Sequence, residues 1–265
     1  KDTVDLPFSF FLKDFQIIKL DNRDEAMVGE NNLCVSENYI LVYGSVYELH
    51  PCRLFTKKGE FVANIGAIGQ GPGEYRAVYK AEIDEKHNCI YLMPFDNSNA
   101  IYVYDLAGKP LRSIPLHQSV SKAVFKVDAD KRELTVGALP FTGYPFVAWV
   151  QDFEGHLLDS VPAARHLSVL PDYSNEVMYG ANTEVFDLYI STFFELRPDT
   201  LYHYIRSESR LKPRFTLNIG DRKRSITTFY ELPQAYVGRL MVEEQVGDGM
   251  WETCLLYTSP SPRDI

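Results

Sequence analysis

The sequence predicts an all-β fold, a β-propeller built of four-stranded antiparallel blades, and three observations predict it. A glycine-centred hairpin pattern recurs, a second hairpin series precedes it at the same period, and the composition favours strands. Among 265 residues there are 16 Phe and 17 Tyr, and aromatic residues reach 13%. Such rings fit pleated, half-buried surfaces. A repeat period between 40 and 50 residues with two hairpins per unit is the signature of a propeller blade.

The glycine series comprises Cys52–Ile65 around Gly59, Ile101–Ile114 around Gly108 and Ala148–Val161 around Gly155, so the glycines lie 49 and 47 residues apart. Five residues before each glycine stand Leu54, Val103 and Val150; three after it stand Val62, Leu111 and Leu158; six after it stand Ile65, Ile114 and Val161. Apolar alternation, a short polar stretch ending in glycine, and resumed alternation describe a hairpin whose turn needs a positive φ. The second series is Val35–Val42, Ile83–Leu92 and Val127–Val136, again strand, polar turn and strand. A fourth unit without the turn glycine runs through Tyr189–Phe194, Thr200–Ile205 and Pro213–Ile219. Between Pro162 and Thr183 the pattern fades into a longer connection. Helix is expected only over Leu232–Val246, where Ala235, Leu240, Met241 and Val242 loosely follow a helical period.

Three segments organise the chain: an N-terminal extension over 1–14, a partial propeller of about four to five blades over 15–253, and a tail over 254–265. The tail is set apart because Cys254–Asp264 resembles the translation of a transposase adapter used in sequencing libraries, and such scars are excluded from fold reasoning. The expectation is that it packs on no blade.

Composition also bounds the function. The formal charge is −9, and the only dense basic stretch is Asp221–Arg224, which excludes a phosphate-backbone ligand, so no nucleic-acid partner is expected. No apolar run reaches the ~18 residues of a membrane span. Outside the tail, Cys34, Cys52 and Cys89 form no CxxC pair and read as small core residues. The histidines His50, His87, His117, His156, His166 and His203 are scattered singly, without metal-ligand spacing. No Gly-x-Ser-x-Gly elbow is present. The acidic groups Asp84–Glu85, Asp128–Asp130 and Asp152–Glu154 fall in hairpin turns, where aspartate bonds to its own backbone. No catalytic residue, metal ligand or cofactor is assigned. The scattered ligands of a channel-bound divalent metal would leave no local motif; Glu82, Lys126 and Glu184, near inner strands, are the polar residues expected to face the channel.

The segment Gly69-Gln70-Gly71-Pro72-Gly73-Glu74-Tyr75 follows the first glycine hairpin directly. It resembles the signature between the first two blades of the six-bladed, TolB-like propeller family of Bacteroidetes. Thr200-Leu201-Tyr202 and Pro213-Arg214-Phe215 running into Ile219-Gly220 are similar to later strands of that family. The motif lacks the Lys-Ser or Lys-Thr of a phosphate loop, and Glu74 would repel an anion, so its expected role is a tight crossing between blades. The resemblance implies an exported periplasmic or outer-membrane-associated lipoprotein with six blades, of which this chain holds an incomplete set. The expected function is non-catalytic binding or scaffolding, with a protein, peptide or glycan ligand in the envelope. The alternative is a metal-dependent hydrolase or lyase on the same scaffold.

Overall fold

The computed structural model describes residues 7, 9, 13–29, 31–44, 50–95, 98–163, 175–180, 185–192, 199–217, 224–232, 235–246 and 250–258. It is an all-β arrangement of successive antiparallel sheets, laid out like propeller blades. The first blade is β1 (Asn31–Val35), β2 (Tyr39–Gly44), β3 (Cys52–Thr56) and β4 (Phe61–Ile65). A short parallel pair, β5 (Ala67–Ile68) and β6 (Glu74–Tyr75), leads into the second blade: β7 (Val78–Asp84), β8 (Cys89–Pro94), β9 (Ser98–Tyr104) and β10 (Ile114–Val120). The third is β11 (Ala123–Asp128), β12 (Glu133–Ala138), β13 (Phe146–Asp152) and β14 (Leu157–Pro162). The fourth is β15 (Glu176–Met178), β16 (Asp187–Ser191), β17 (Asp199–Ile205) and β18 (Arg210–Leu217). A three-stranded sheet of β19 (Arg224–Leu232), β20 (Ala235–Val246) and β21 (Met250–Thr258) follows.

The apolar core lies between the sheets, one cluster per junction. Leu41, Leu54 and Ile65 of the first blade pack on Val78, Ile90 and Tyr104 of the second. Met93 and Ile101 pack on Phe125, Val136 and Trp149 of the third. Val124, Val147 and Val150 then meet Val177, Leu188 and Tyr204 of the fourth, and Tyr189 and Leu201 meet Phe229 and Tyr236 of the three-stranded sheet. Each of the four blades therefore has two apolar faces, which explains continuous runs such as Ile40–Tyr43, all buried. The outer face of the first blade is covered by the N-terminal segment, where Ile18 and Leu20 pack with Val42 and Phe55.

The outer hairpin turns are built alike. Gly59, Gly108 and Gly155 have φ of +88°, +83° and +88°. Three residues before each glycine, a side-chain oxygen of Thr56, Asp105 or Asp152 accepts the two backbone N–H groups of the turn, from Lys58 and Glu60, Ala107 and Lys109, and Glu154 and His156. These short polar side chains stand in for turn backbone, so the acidic residues at these sites are architectural.

Two expectations are corrected. Leu232–Val246 holds no helix: Ala235–Val246 is β20, hydrogen-bonded to β19 on one side and β21 on the other. Burial alternates from buried Tyr236 through half-buried Val237 and buried Gly238 to exposed Arg239, a two-residue period. The β-branched valines and Gly238 suit a strand better than a helix. Against the expectation that the tail packs on no blade, its described part, Cys254, Leu255, Leu256, Tyr257 and Thr258, pairs in register with Leu240, Arg239, Gly238, Val237 and Tyr236 of the three-stranded sheet, while 259–265 lie outside the described residues.

Candidate functional site

β1 packs beside β7, β7 beside β11 and β11 beside β15, so the first strands of the four blades stand in succession, and β19 follows beside β16. Where their ends converge there is a cavity of about 720 Å³, lined among others by Leu33 of β1, Tyr79 and Lys80 of β7, Glu176 of β15 and Tyr230 of β19. It forms an open mouth bordered by residues of all five sheets. Six of its sixteen lining residues are aromatic, Tyr43, Tyr79, Phe95, Tyr179, Phe229 and Tyr230, and polar groups make up as much of the open wall as apolar ones.

The polar centre of this mouth is Glu176. Lys122 Nζ lies 2.5 Å from its Oε1, and the Tyr79 hydroxyl donates to its Oε2 at 2.6 Å. The same hydroxyl accepts Val177 N–H at 3.0 Å. Burial, reinforced by the neighbouring carboxylate, pushes the Tyr79 phenol well above its ordinary range. Lys122 is 2% exposed, takes a left-handed φ of +54°, donates to Asn175 O at 3.1 Å and places its ammonium 5.2 Å from the Phe95 ring centre. One carboxylate thus ties together the second, third and fourth blades, while its own side chain stays 41% exposed toward the cavity. Elsewhere in the lining Leu33 is 61% exposed and Tyr230 45% exposed.

Of the residues expected to face the channel, Glu82 lies on β7 and accepts Val127 N–H of β11 at 3.1 Å. Burial raises its carboxyl to about 7, against weaker lowering by that bond and by Lys126. Glu82 lines a separate cavity of about 430 Å³, rimmed by the Asp84–His87 and Asp128–Asp130 turns, not the aromatic mouth. Lys126 is half-buried on β11, and Glu184 lies outside the described residues. Tyr79 and Glu176, which line the mouth, and Lys122, which braces Glu176 from behind, carry no local signal in the sequence because the second blade, the fourth blade and the crossing from the second to the third supply them.

The Gly69–Tyr75 segment closes on itself. Gly71 N–H donates to Glu74 Oε2 at 2.8 Å, and Gly69 N–H to Tyr75 O at 3.0 Å. A Cβ on Gly69 would lie 1.9 Å from Glu74 Oε2, so a larger residue there would displace the carboxylate from its bond to Gly71 N–H. The Tyr75 hydroxyl accepts Cys52 N–H at 2.7 Å and donates to Ile65 O at 2.5 Å, bonding the crossing to the first blade.

A further buried group is Asp187, whose Oδ1 accepts Gly180 N–H at 3.0 Å while Oδ2 has no partner. Burial raises its carboxyl to about 6. His203 and Glu231, 2.5 Å apart, join the fourth blade to the three-stranded sheet nearby. Among the described residues, no group of three or more His, Cys, Asp or Glu side chains is placed to hold a metal ion, and no helix is long and apolar enough to cross a membrane.

The family described as "Domain of unknown function (DUF4934)" matches residues 1–240. No curated protein matches the chain. A solved structure, from Bacteroides fragilis and described as a "putative exported protein", is similar at 15% identity and a TM-score of 0.48, over 85% of this chain and 83% of that one.

Proposed function

The chain belongs to the DUF4934 family, and on that premise we propose that it is a non-catalytic binding propeller whose ligand site is the channel mouth. The observation that carries this reading is that strands of all five sheets, β1, β7, β11, β15 and β19, meet at one partly aromatic cavity around a pre-positioned Glu176. Concave, mostly apolar cavities with a few fixed polar groups are the usual form of a ligand site. Catalysis is disfavoured by how that carboxylate is held: both of its oxygens are already engaged, one by the Lys122 ammonium and the other by the Tyr79 hydroxyl.

The ligand is a peptide, glycan or protein of the bacterial envelope, and the envelope setting rests on the resemblance carried by Gly69–Tyr75. In the same reading this motif is a clasp between blades rather than a ligand-gripping loop. The return of the Glu74 carboxylate to Gly71 N–H and the bonds of Tyr75 to the first blade support that role.

A thermal-shift screen of envelope-derived peptides and glycans tests the proposal, since a ligand that binds only the native state raises the melting temperature. Leu33→Trp fills the mouth, whereas Leu158→Trp places the same bulk at an exposed site on β14. The shift should survive Leu158→Trp and vanish with Leu33→Trp. Turnover of any hit into a product would replace this reading with the hydrolase.

A further inference from the structure

The geometry points to a neutral saccharide as the occupant of the channel mouth, an inference that rests on the binding reading above. Four features narrow the ligand class. First, the two charged residues that line the cavity carry opposite signs: Glu176, which faces Lys122 at 2.5 Å, and Lys80, whose ammonium lies 5.9 Å from the Tyr179 ring centre. A charged ligand would find no surplus of opposite sign, so a neutral one is favoured.

Second, Glu176 is an acceptor fixed in place. A carboxylate has about four lone-pair sites, and the two bonds from Lys122 and Tyr79 leave the remainder directed at the cavity, which its partly exposed side chain lines. It calls for hydroxyl or N–H donors. Third, Lys80 and Asn32 line the same cavity and supply donors, with the Asn32 amide also an acceptor. Fourth, most of the aromatic wall is consumed by internal packing: Tyr179 stacks on Phe186, and Phe229 lies against Phe215 and Tyr236. The rings and apolar groups left open are Tyr230 and, from β1, Leu33.

The free surface thus pairs an apolar platform with a rim of rigid acceptors and donors. A sugar ring matches both at once, laying its C–H face on Tyr230 while its hydroxyl edge reaches Glu176, Lys80 and Asn32. A peptide would meet the rim through its backbone but would need a side chain shaped to the Tyr230 and Leu33 wall.

Isothermal titration with neutral hexasaccharides of glucose, mannose and xylose, beside hexagalacturonate and a set of unrelated hexapeptides, tests this inference. At least one neutral oligosaccharide should bind, and Tyr230→Ala should weaken it about tenfold, the loss of a stacking contact and its buried area. Lys80→Gln, which removes the charge but keeps a donor, should preserve most of the affinity for a neutral sugar. Both positions are exposed or half-exposed, and circular dichroism confirms the fold of each variant. Sugar binding indifferent to Tyr230→Ala overturns the inference. So does binding of peptides alone in a manner blocked by Leu33→Trp, an outcome that would leave the binding reading standing.

Discussion

A Cβ added to Gly108 would lie 2.0 Å from the carbonyl oxygen of Asn64, on the outer strand of the preceding blade. Gly59 stands in the same relation to Lys19 O, at 2.0 Å, and Gly155 to Pro115 O, at 3.3 Å. Each outer turn therefore tucks under the backbone that runs along the blade before it. Lys19–Leu20 holds, toward the first blade, the place that Asn64–Ile65 holds toward the second. Gly108→Ala must adopt a left-handed φ, at about 1–3 kcal/mol, and must also push the Asn64 backbone aside. Gly143, with φ of +95° and nothing within 4 Å, offers the contrast. Urea denaturation should show Gly108→Ala losing clearly more stability than Gly143→Ala; equal losses would mean that the close approach costs nothing.

Tyr75→Phe removes a hydroxyl that serves two buried backbone groups, Cys52 N–H and Ile65 O. An unsatisfied buried group costs about 1–3 kcal/mol, so the variant should melt well below the parent although only one atom is lost. Tyr102→Phe, a half-buried tyrosine of the next blade, should cost little by the same measurement.

Removing either partner of the Lys122–Glu176 pair should not be equivalent. Lys122→Met leaves a carboxylate that is already 41% exposed and can hydrate. Glu176→Gln leaves a 2% exposed ammonium without its counter-charge, and breaking a buried pair in that way costs about 3–5 kcal/mol. Chemical denaturation should rank Glu176→Gln as the more damaging; the reverse order would place the buried cost on the carboxylate instead.

Asp187 and Glu82 give the fold a pH dependence of defined sign. Burial raises both carboxyls in the folded state, to about 6 and about 7, above ordinary values of 3.8 and 4.5. Between the unfolded and folded values the native chain holds the extra protons, so stability falls as pH rises from about 4 through about 7. Below that window the contribution is fully present. Melting temperature against pH should decline across it, and Asp187→Asn should flatten the lower part while Glu82→Gln flattens the upper.

Much of this architecture was legible in the residues. Gly59, Gly108 and Gly155 marked the outer turns because a positive φ leaves a chemical trace in one residue type, and the flanking alternation marked the strands. Leu232–Val246 misled because Ala235, Leu240 and Met241 are good helix formers, and only pairing with neighbours on both sides decides for a strand. The channel mouth was the least legible part. Glu82 and Lys126 were placed near inner strands by their neighbours in sequence, but Tyr79, Lys122 and Glu176 meet only through the stacking of three blades. Lys122 in particular, a buried lysine with a left-handed backbone, follows no local rule.

The central claim is that ligand enters at the channel mouth, and hydrogen–deuterium exchange with and without a bound oligosaccharide tests it most directly. Protection should rise in Asn32–Leu33, Val78–Lys80, Glu176–Gly180 and Phe229–Tyr230, segments far apart in sequence that share this one cavity. Protection confined to Gly71–Glu74 with Tyr102–Leu111, or to the Asp84–His87 and Asp128–Asp130 rim, would contradict the claim and move the site to another cavity.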